Sequence, residues 1–322
     1  MKAITCSTYG SPDVLKLEDI PTPSPGAGQV LVRVRAASVN AGDWHILRAD
    51  PFVVRLEFGM LRPKFAVPGM DVAGVVEAVG EGARAFKPGD EVFGDLAECG
   101  CGAFAEFALA PESALVLKPT TLNFEQAAAV PTAAVTALQG LRSEGGIAPG
   151  ERVLIHGASG GVGSFAVQIA KALGAEVTAV CSTSKVEMVR ELGADQVIDY
   201  TREDFARGGA RFDKIFVAYG ERGIFEYARA LVPGGTCVVS GGSFSQFLRS
   251  LALGPLVSLT KKKRVVSLLQ HPDAQDLAFV KDLIESGKLA PVIDRSYPLA
   301  EVPEAIRYVE QGHARGKVVI AV

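Results

Sequence analysis

Four glycines fall within the eight residues HGASGGVG, His156–Gly163. A glycine-rich turn between a short strand and a helix can bring backbone N–H groups against a phosphate. Ala158, Gly160 and Gly163 occupy the three positions of the G-x-G-x-x-G pattern, with Ser159, Gly161 and Val162 between them. At the second position the missing side chain lets the backbone approach a pyrophosphate, and at the third it lets helix and strand pack closely. The flanks agree: strand Val153–His156, helix Ser164–Leu173 and strand Val177–Val180. In that helix, Ala166, Ile169, Ala170 and Leu173 recur at i, i+3, i+4 and i+7, giving one apolar face. The alternative is a strand-to-helix turn that binds nothing.

The end of the second strand addresses which dinucleotide would bind. An Asp or Glu about 20 residues beyond the turn would hold the ribose 2′-hydroxyl. Here the strand runs into Cys181-Ser182-Thr183-Ser184-Lys185, without a carboxylate. The Ser182 hydroxyl and the Lys185 ammonium suit a 2′-phosphate, which predicts NADP(H) over NAD(H). The alternative for Lys185 is a solvated lysine at a helix start.

Two textures position these residues. From Met1 to Pro119, short strands alternate with turns: Lys2–Cys6, Val30–Val39, Val72–Val79, Glu91–Phe93, Phe104–Ala108 and Leu115–Leu117. This predicts a β-rich domain, a bent sheet or partial barrel. From Asn123 the period changes. A helix over Phe124–Leu141 is followed by strands and helices of about ten residues in alternation, the pattern of a parallel sheet. The tail from Lys263 carries helices Asp276–Ser286 and Val302–Gln311 and strand Lys317–Ile320, and could complete either domain.

Composition narrows the class. The chain has 322 residues, enough for two domains. Its net charge of −3 argues against nucleic acid or an anionic membrane as main partner. Five scattered cysteines, an odd number, argue against a disulfide framework and for a reducing compartment. The start MKAITCSTYG lacks a signal-peptide pattern, so a cytoplasmic location is expected. The run Lys261–Arg264 beside the apolar stretch Leu251–Leu259 reads as a solvated crossover rather than a membrane contact. Phe52–Lys64 reads equally as a substrate-entrance loop or a domain-packing loop.

VRAASVNAGDWH, PGMDVAGVVEAVG, FKPGDEVFG, HGASGGVG and GHARGKVVI, in that order, resemble the medium-chain dehydrogenase/reductase superfamily. Within it they are similar to the zinc-independent quinone oxidoreductase and enone reductase branch. The resemblance implies an α/β fold, with a GroES-like β-rich catalytic domain (1–122 and 263–322) split around a Rossmann-type parallel-sheet nucleotide-binding domain (123–262). It also implies a homodimer. Zinc-dependent members place Cys at Asn40 and His at Met70. Amide and thioether are poor zinc partners, and Cys99 with Cys101 cannot complete a zinc lobe, so no metal is expected.

The implied chemistry is hydride transfer from NADPH to an electron-poor C=C bond or a quinone, the small-molecule substrate. Asn40 and Asp43 match the family's N-x-x-D element beside the nicotinamide, with Asn40 as a donor and Asp43 as the residue that orders the turn. Thr136, 20 residues before His156, matches a hydroxyl near the nicotinamide ribose or is bonded back within its helix. Lys185 and Tyr200 match the pair that holds the 2′-phosphate, and Arg315 an arginine that reaches it. Gly241 and Gly242 match backbone groups that meet the nicotinamide. No tyrosine lies between Tyr9 and Tyr200, which removes a tyrosine acid from the N-x-x-D loop and leaves water or His45 as proton source. Rival readings are an alcohol or aldehyde redox enzyme, a trans-acting enoyl reductase, and a non-catalytic structural protein of the same fold.

Overall fold

The strand patterns of the first third become a largely antiparallel sheet. A computed structural model describes residues 1–242, 254, 257 and 263–322. Of the stretch Leu251–Leu259 only Gly254 and Val257 are described, and of the basic run only Lys263 and Arg264; the rest of both lies outside the described residues. No helix among the described residues is long and apolar enough to cross a membrane. The chain divides into two units.

Unit one comprises Met1–Ala133, Pro272–Glu285 and Pro291–Val322. Strands β1 (Lys2–Thr5) and β2 (Lys16–Asp19) form an antiparallel pair. The main sheet contains β3 (Gln29–Val39), β4 (Asp71–Val79), β5 (Glu91–Asp95), β6 (Phe107–Pro111) and β7 (Leu115–Leu117). From unit two's sequence onward come β8 (Arg152–His156), β9 (Glu176–Cys181), β10 (Gln196–Asp199), β11 (Phe212–Val217), β12 (Leu231–Val239) and β13 (Arg264–Ser267). Strands β14 (Ile293–Pro298) and β15 (Lys317–Ala321) return to unit one, whose sheet order is β14-β15-β3-β4-β5-β7 with β6 also on β3. Along β3, Arg33 and Arg35 face out while Val30, Val32 and Val34 enter the core with Leu96 and Phe104. Glycine is required on β4, because a Cβ at Gly74 would lie 2.2 Å from the Arg33 carbonyl oxygen.

Two expectations need correction here. Phe104–Ala108 is not the strand that joins β3. Ala105 instead forms an isolated bridge to Ala3, and the pairing segment starts at Phe107. The expected helix Phe124–Leu141 is two helices, Phe124–Ala128 and Pro131–Arg142. Pro131 has no N–H to continue the first helix and biases Val130 away from helical geometry, yet it suits the first turn of the second.

Unit two comprises Ala134–His271 and Ser286–Ala290. Its six strands are all parallel, in the order β10-β9-β8-β11-β12-β13. This is the doubly wound order, with its reversal point between β8 and β11. The sheet continues through β13, past residue 262. Buried Lys214 on β11 donates to the carbonyls of Leu141 (2.8 Å) and Ser143 (2.6 Å), satisfying the end of helix Pro131–Arg142.

Candidate functional site

The site residues predicted from sequence fall into two groups, one in each unit. In unit two, β8 ends at His156 and the chain turns into helix Gly161–Ala172, whose N-cap is Gly160. Gly157 holds φ +80, and a Cβ there would lie 2.5 Å from the Tyr219 carbonyl oxygen. At Gly163 a Cβ would lie 2.0 Å from the Gly157 oxygen, so the close helix–strand approach is real. Gly160 is different: its Cβ would meet only the Gly157 oxygen, at 3.7 Å. Among the described residues nothing requires glycine there, and the space a Cβ would take is open. The N-cap Gly160 supplies no side-chain acceptor, so among the described residues the first N–H groups of this helix have no intrahelical or N-cap side-chain acceptor. Ala158 and Ser159 are buried within the turn.

The ends of β9 and β10 bring the expected 2′-phosphate residues together. Ser182 precedes, and Lys185 ends, a 3-10 turn over Thr183–Lys185. Exposed Tyr200 follows β10 and donates its N–H to the Cys181 carbonyl at 3.1 Å. Asp199 was overlooked at sequence level. It lies one strand over, in register with Cys181. Its carboxylate accepts from Thr183 Oγ1 (2.5 Å), Thr201 Oγ1 (2.7 Å) and Thr201 N (3.0 Å). Thr183 above all holds its carboxyl below the ordinary range. Thr136 is buried on helix Pro131–Arg142. Gly241 and Gly242 follow β12, and a Cβ on Gly241 would lie 2.1 Å from the Ala218 oxygen. Arg315 lies in unit one, exposed, with its N–H on Asp294 Oδ2 at 3.1 Å.

Under the glycine turn, buried His156 places Nδ1 2.8 Å from Tyr227 Oη and lies edge-on to the Phe205 ring. Burial, with the Arg222 charge adding, pushes its pKa down to about 4. An unfolded chain takes up this proton below pH 6.5, and the folded one refuses it until about 4. The stability held above pH 6.5 is therefore lost as pH falls towards 4, on the order of 3 kcal/mol in total. Asp43, described below, titrates with the opposite slope. The check is a difference: the melting temperature of the wild type should fall more steeply from pH 6.5 to 4.5 than that of His156→Gln. Parallel curves would refute it.

In unit one, sheet order assembles a polar cluster at one end of β15, β3, β4 and β5. Ser38 on β3 is in register with Asp71 on β4, and Asp71 with Asp95 on β5. Asp71, fully buried, accepts from Ser38 Oγ (2.6 Å), Asn40 Nδ2 (2.9 Å) and the Thr132 N–H (2.9 Å). The Thr132 hydroxyl lies between Asp71 (2.7 Å) and Asp95 (2.9 Å). Lys317, the first residue of β15 and buried, donates to Asn40 Oδ1 and lies 3.3 Å from Asp71 Oδ2. The carboxamide of Asn40 is thus held at both ends. Lys317, Asp71, Thr132 and Asp95 were missed at sequence level. The available signal was an ionisable residue within otherwise apolar runs, KVVIA and MDVAGVV.

Asp43 sits in the first turn of helix Ala41–Arg48, where its Oδ2 accepts the Asn40 N–H at 2.7 Å. Burial pushes its pKa up to about 7; the Asn40 N–H and Lys317 pull it down, while Asp71 and Asp95 push it up. His45 stacks on Trp44 at 3.6 Å and places Nδ1 2.7 Å from the Asp50 carbonyl. Asp43 lines a small, mostly apolar pocket, partly open to solvent, with Cys6, Ile46, Phe58, Phe65 and Cys101 among its walls. Burial raises both thiols, Cys101 to about 12 with the Asp43 charge contributing. Lys64 also lines the pocket, so the Phe52–Lys64 segment supplies part of its wall. Met70, where zinc-dependent members place His, is buried. Among the described residues no group of three or more His, Cys, Asp or Glu could hold a metal ion.

A doubly wound parallel sheet with an open glycine turn, joined to a β-rich unit with a polar cluster and an apolar pocket, defines a two-part dinucleotide-dependent oxidoreductase. Two family models match, the alcohol dehydrogenase GroES-like domain over residues 26–120 and the zinc-binding dehydrogenase over 192–320. The chain is 34% identical to the chloroplast envelope quinone oxidoreductase homolog of Arabidopsis thaliana, over 99% of this chain and 98% of that protein. It is 36% identical to the NADPH-dependent alkenal/one oxidoreductase of the same plant, covering 99% of this chain and 79% of the relative. The quinone oxidoreductase from Coxiella burnetii superposes with a TM-score of 0.89 at 33% identity, covering 100% and 99% of the two chains. The chain belongs to the medium-chain dehydrogenase/reductase superfamily, in the branch of quinone oxidoreductases and enone reductases.

Proposed function

We propose that this chain is an NADPH-dependent, zinc-free oxidoreductase that transfers hydride to a C=C bond conjugated to a carbonyl, or to a quinone. The observation that carries it is the donor set where zinc-dependent members bind metal. The Asn40 amide is engaged by Lys317 and Asp71, and the other position is the Met70 thioether. Neither is a ligand zinc prefers. Deprotonating an alcohol without a Lewis acid is hard, whereas an acceptor that is already electron-poor needs less help. The relatives named for quinones and alkenals fit the same chemistry.

The glycine turn fits a pyrophosphate, since Gly160 leaves open the space a Cβ would take. The nicotinamide, when bound, supplies the hydride. Ala158 to Gly163 hold the phosphates by backbone, and Ser182, Lys185 and Tyr200 hold the 2′-phosphate. Thr136, Gly241 and Gly242 serve the nicotinamide end, and Arg315 the 2′-phosphate. Asn40 offers towards substrate the Nδ2 hydrogen that Asp71 leaves free, and the mostly apolar pocket disfavours water. Cytoplasmic location and a homodimer belong to the same proposal; light scattering at twice the chain mass would support the dimer.

NADPH oxidation against quinones, short enals, long enones, enoyl thioesters and aldehydes tests the reading. Turnover of enones or quinones is expected, and turnover of aldehydes alone would overturn it. Lys185→Ala should raise KM for NADPH about tenfold, the worth of one charge-assisted hydrogen bond. KM for NADH should barely change, and equal increases would remove Lys185 from the 2′-phosphate site.

A further inference from the structure

We propose that Asp43 is the acid that protonates the reduced substrate, so that it is a catalytic residue as well as a turn-ordering one. The proposal rests on the hydride-transfer reading above. Three observations carry it. Only one of the two carboxyl oxygens is used by the turn: Oδ2 accepts the Asn40 N–H, and Oδ1 has no hydrogen-bond partner among the described residues. The residue lines the pocket, whose other walls are mostly apolar. It is also only 4% exposed, so the carboxyl is largely withdrawn from water.

The surroundings favour a neutral acid. Asp71 on β4 and Asp95 on β5 bring negative charge towards Asp43, and Lys317 on β15 offsets part of it. Across the pocket stand Cys6, Cys101 and Lys64, and His45 lies two residues along the same helix. Cys101 and Cys6 stay protonated at neutral pH, so they add no charge. The carboxyl is pushed to about 7, the range in which a group can give a proton and recover it.

The step balances. The nicotinamide, when bound, would supply hydride to the β-carbon of the enone, and the C=C π pair would shift to give an enolate. The Asp43 Oδ1–H bond then breaks towards the enolate, leaving the saturated ketone, NADP⁺ and a carboxylate. Solvent reprotonates Asp43 before the next turnover.

The test compares an enone with a quinone as acceptor of the full-length protein and NADPH. A quinone is far more electron-poor, so its reduction gains little from an acid. Asp43→Asn keeps an oxygen for the Asn40 N–H, so the turn should survive. Its kcat on the enone should fall about 10²–10³-fold, the scale of general acid catalysis, and the loss on the quinone should be at least tenfold smaller. In the wild type, kcat on the enone should decline as pH rises through about 7, and kcat on the quinone should not. The wild-type profile needs no variant to fold. Equal losses on both acceptors, or an enone profile flat through this range, would overturn the role of Asp43. Wild-type inactivity on both acceptors would instead overturn the functional reading and this proposal with it.

Discussion

Lys317→Met is expected to cost about 3–5 kcal/mol of folding stability, the usual loss when one partner of a buried ion pair is removed. The side chains of Lys317 and Asp71 are 3% and 0% exposed. Methionine matches the lysine stem in length but leaves Asp71 without its cation and Asn40 Oδ1 without its donor. Ser38 and Thr132 still donate to Asp71, but neutral donors do not cancel a buried charge. A drop in melting temperature on the order of 10 °C should follow. Lys317→Met combined with Asp71→Asn removes the orphaned charge and should recover much of the loss. If Lys317→Met melts with the wild type, the cluster is not held together by this pair.

Gly160→Ala and Gly163→Ala should separate ligand contact from folding. At Gly163 the new Cβ meets the Gly157 oxygen at 2.0 Å and the Ala158 Cα at 2.8 Å, both backbone atoms that cannot rotate away. Overpacking of this kind costs about 1–3 kcal/mol, so both melting temperature and NADPH binding should suffer. At Gly160 the nearest atom is 3.7 Å away, so the free protein should melt unchanged. Its NADPH Kd should nonetheless rise roughly ten- to hundredfold, because the methyl group occupies ligand space. Calorimetric titration and thermal melts of the two variants decide this. Normal NADPH affinity in Gly160→Ala would remove the glycine turn as the phosphate site.

Much of unit two was legible because its signals are local. Period, glycine spacing and strand ends lie within one βαβ unit, and the strands appear at β8 and β9 almost as read. The polar cluster of unit one was not. Lys317 and Asp71 are 246 residues apart and meet only because β15, β3 and β4 are neighbours in the sheet. Sequence alone showed Lys317 as the start of a strand. The place of Asp43 was hidden for a related reason: spacing shows the turn its carboxyl orders, but not that the residue lines a pocket. The break at Pro131 was legible in principle, but the apolar run on both sides outweighed it.

The two thiols in the pocket wall carry a consequence of their own. A carbonyl-conjugated C=C bond that accepts hydride is also an alkylating agent, and its target on proteins is the thiolate. An ordinary cysteine is a few per cent thiolate at pH 7. Burial above all pushes the Cys101 thiol up to about 12, so its thiolate is scarcer still. Burial therefore keeps both pocket thiols in the protonated form that adds slowly to such an acceptor.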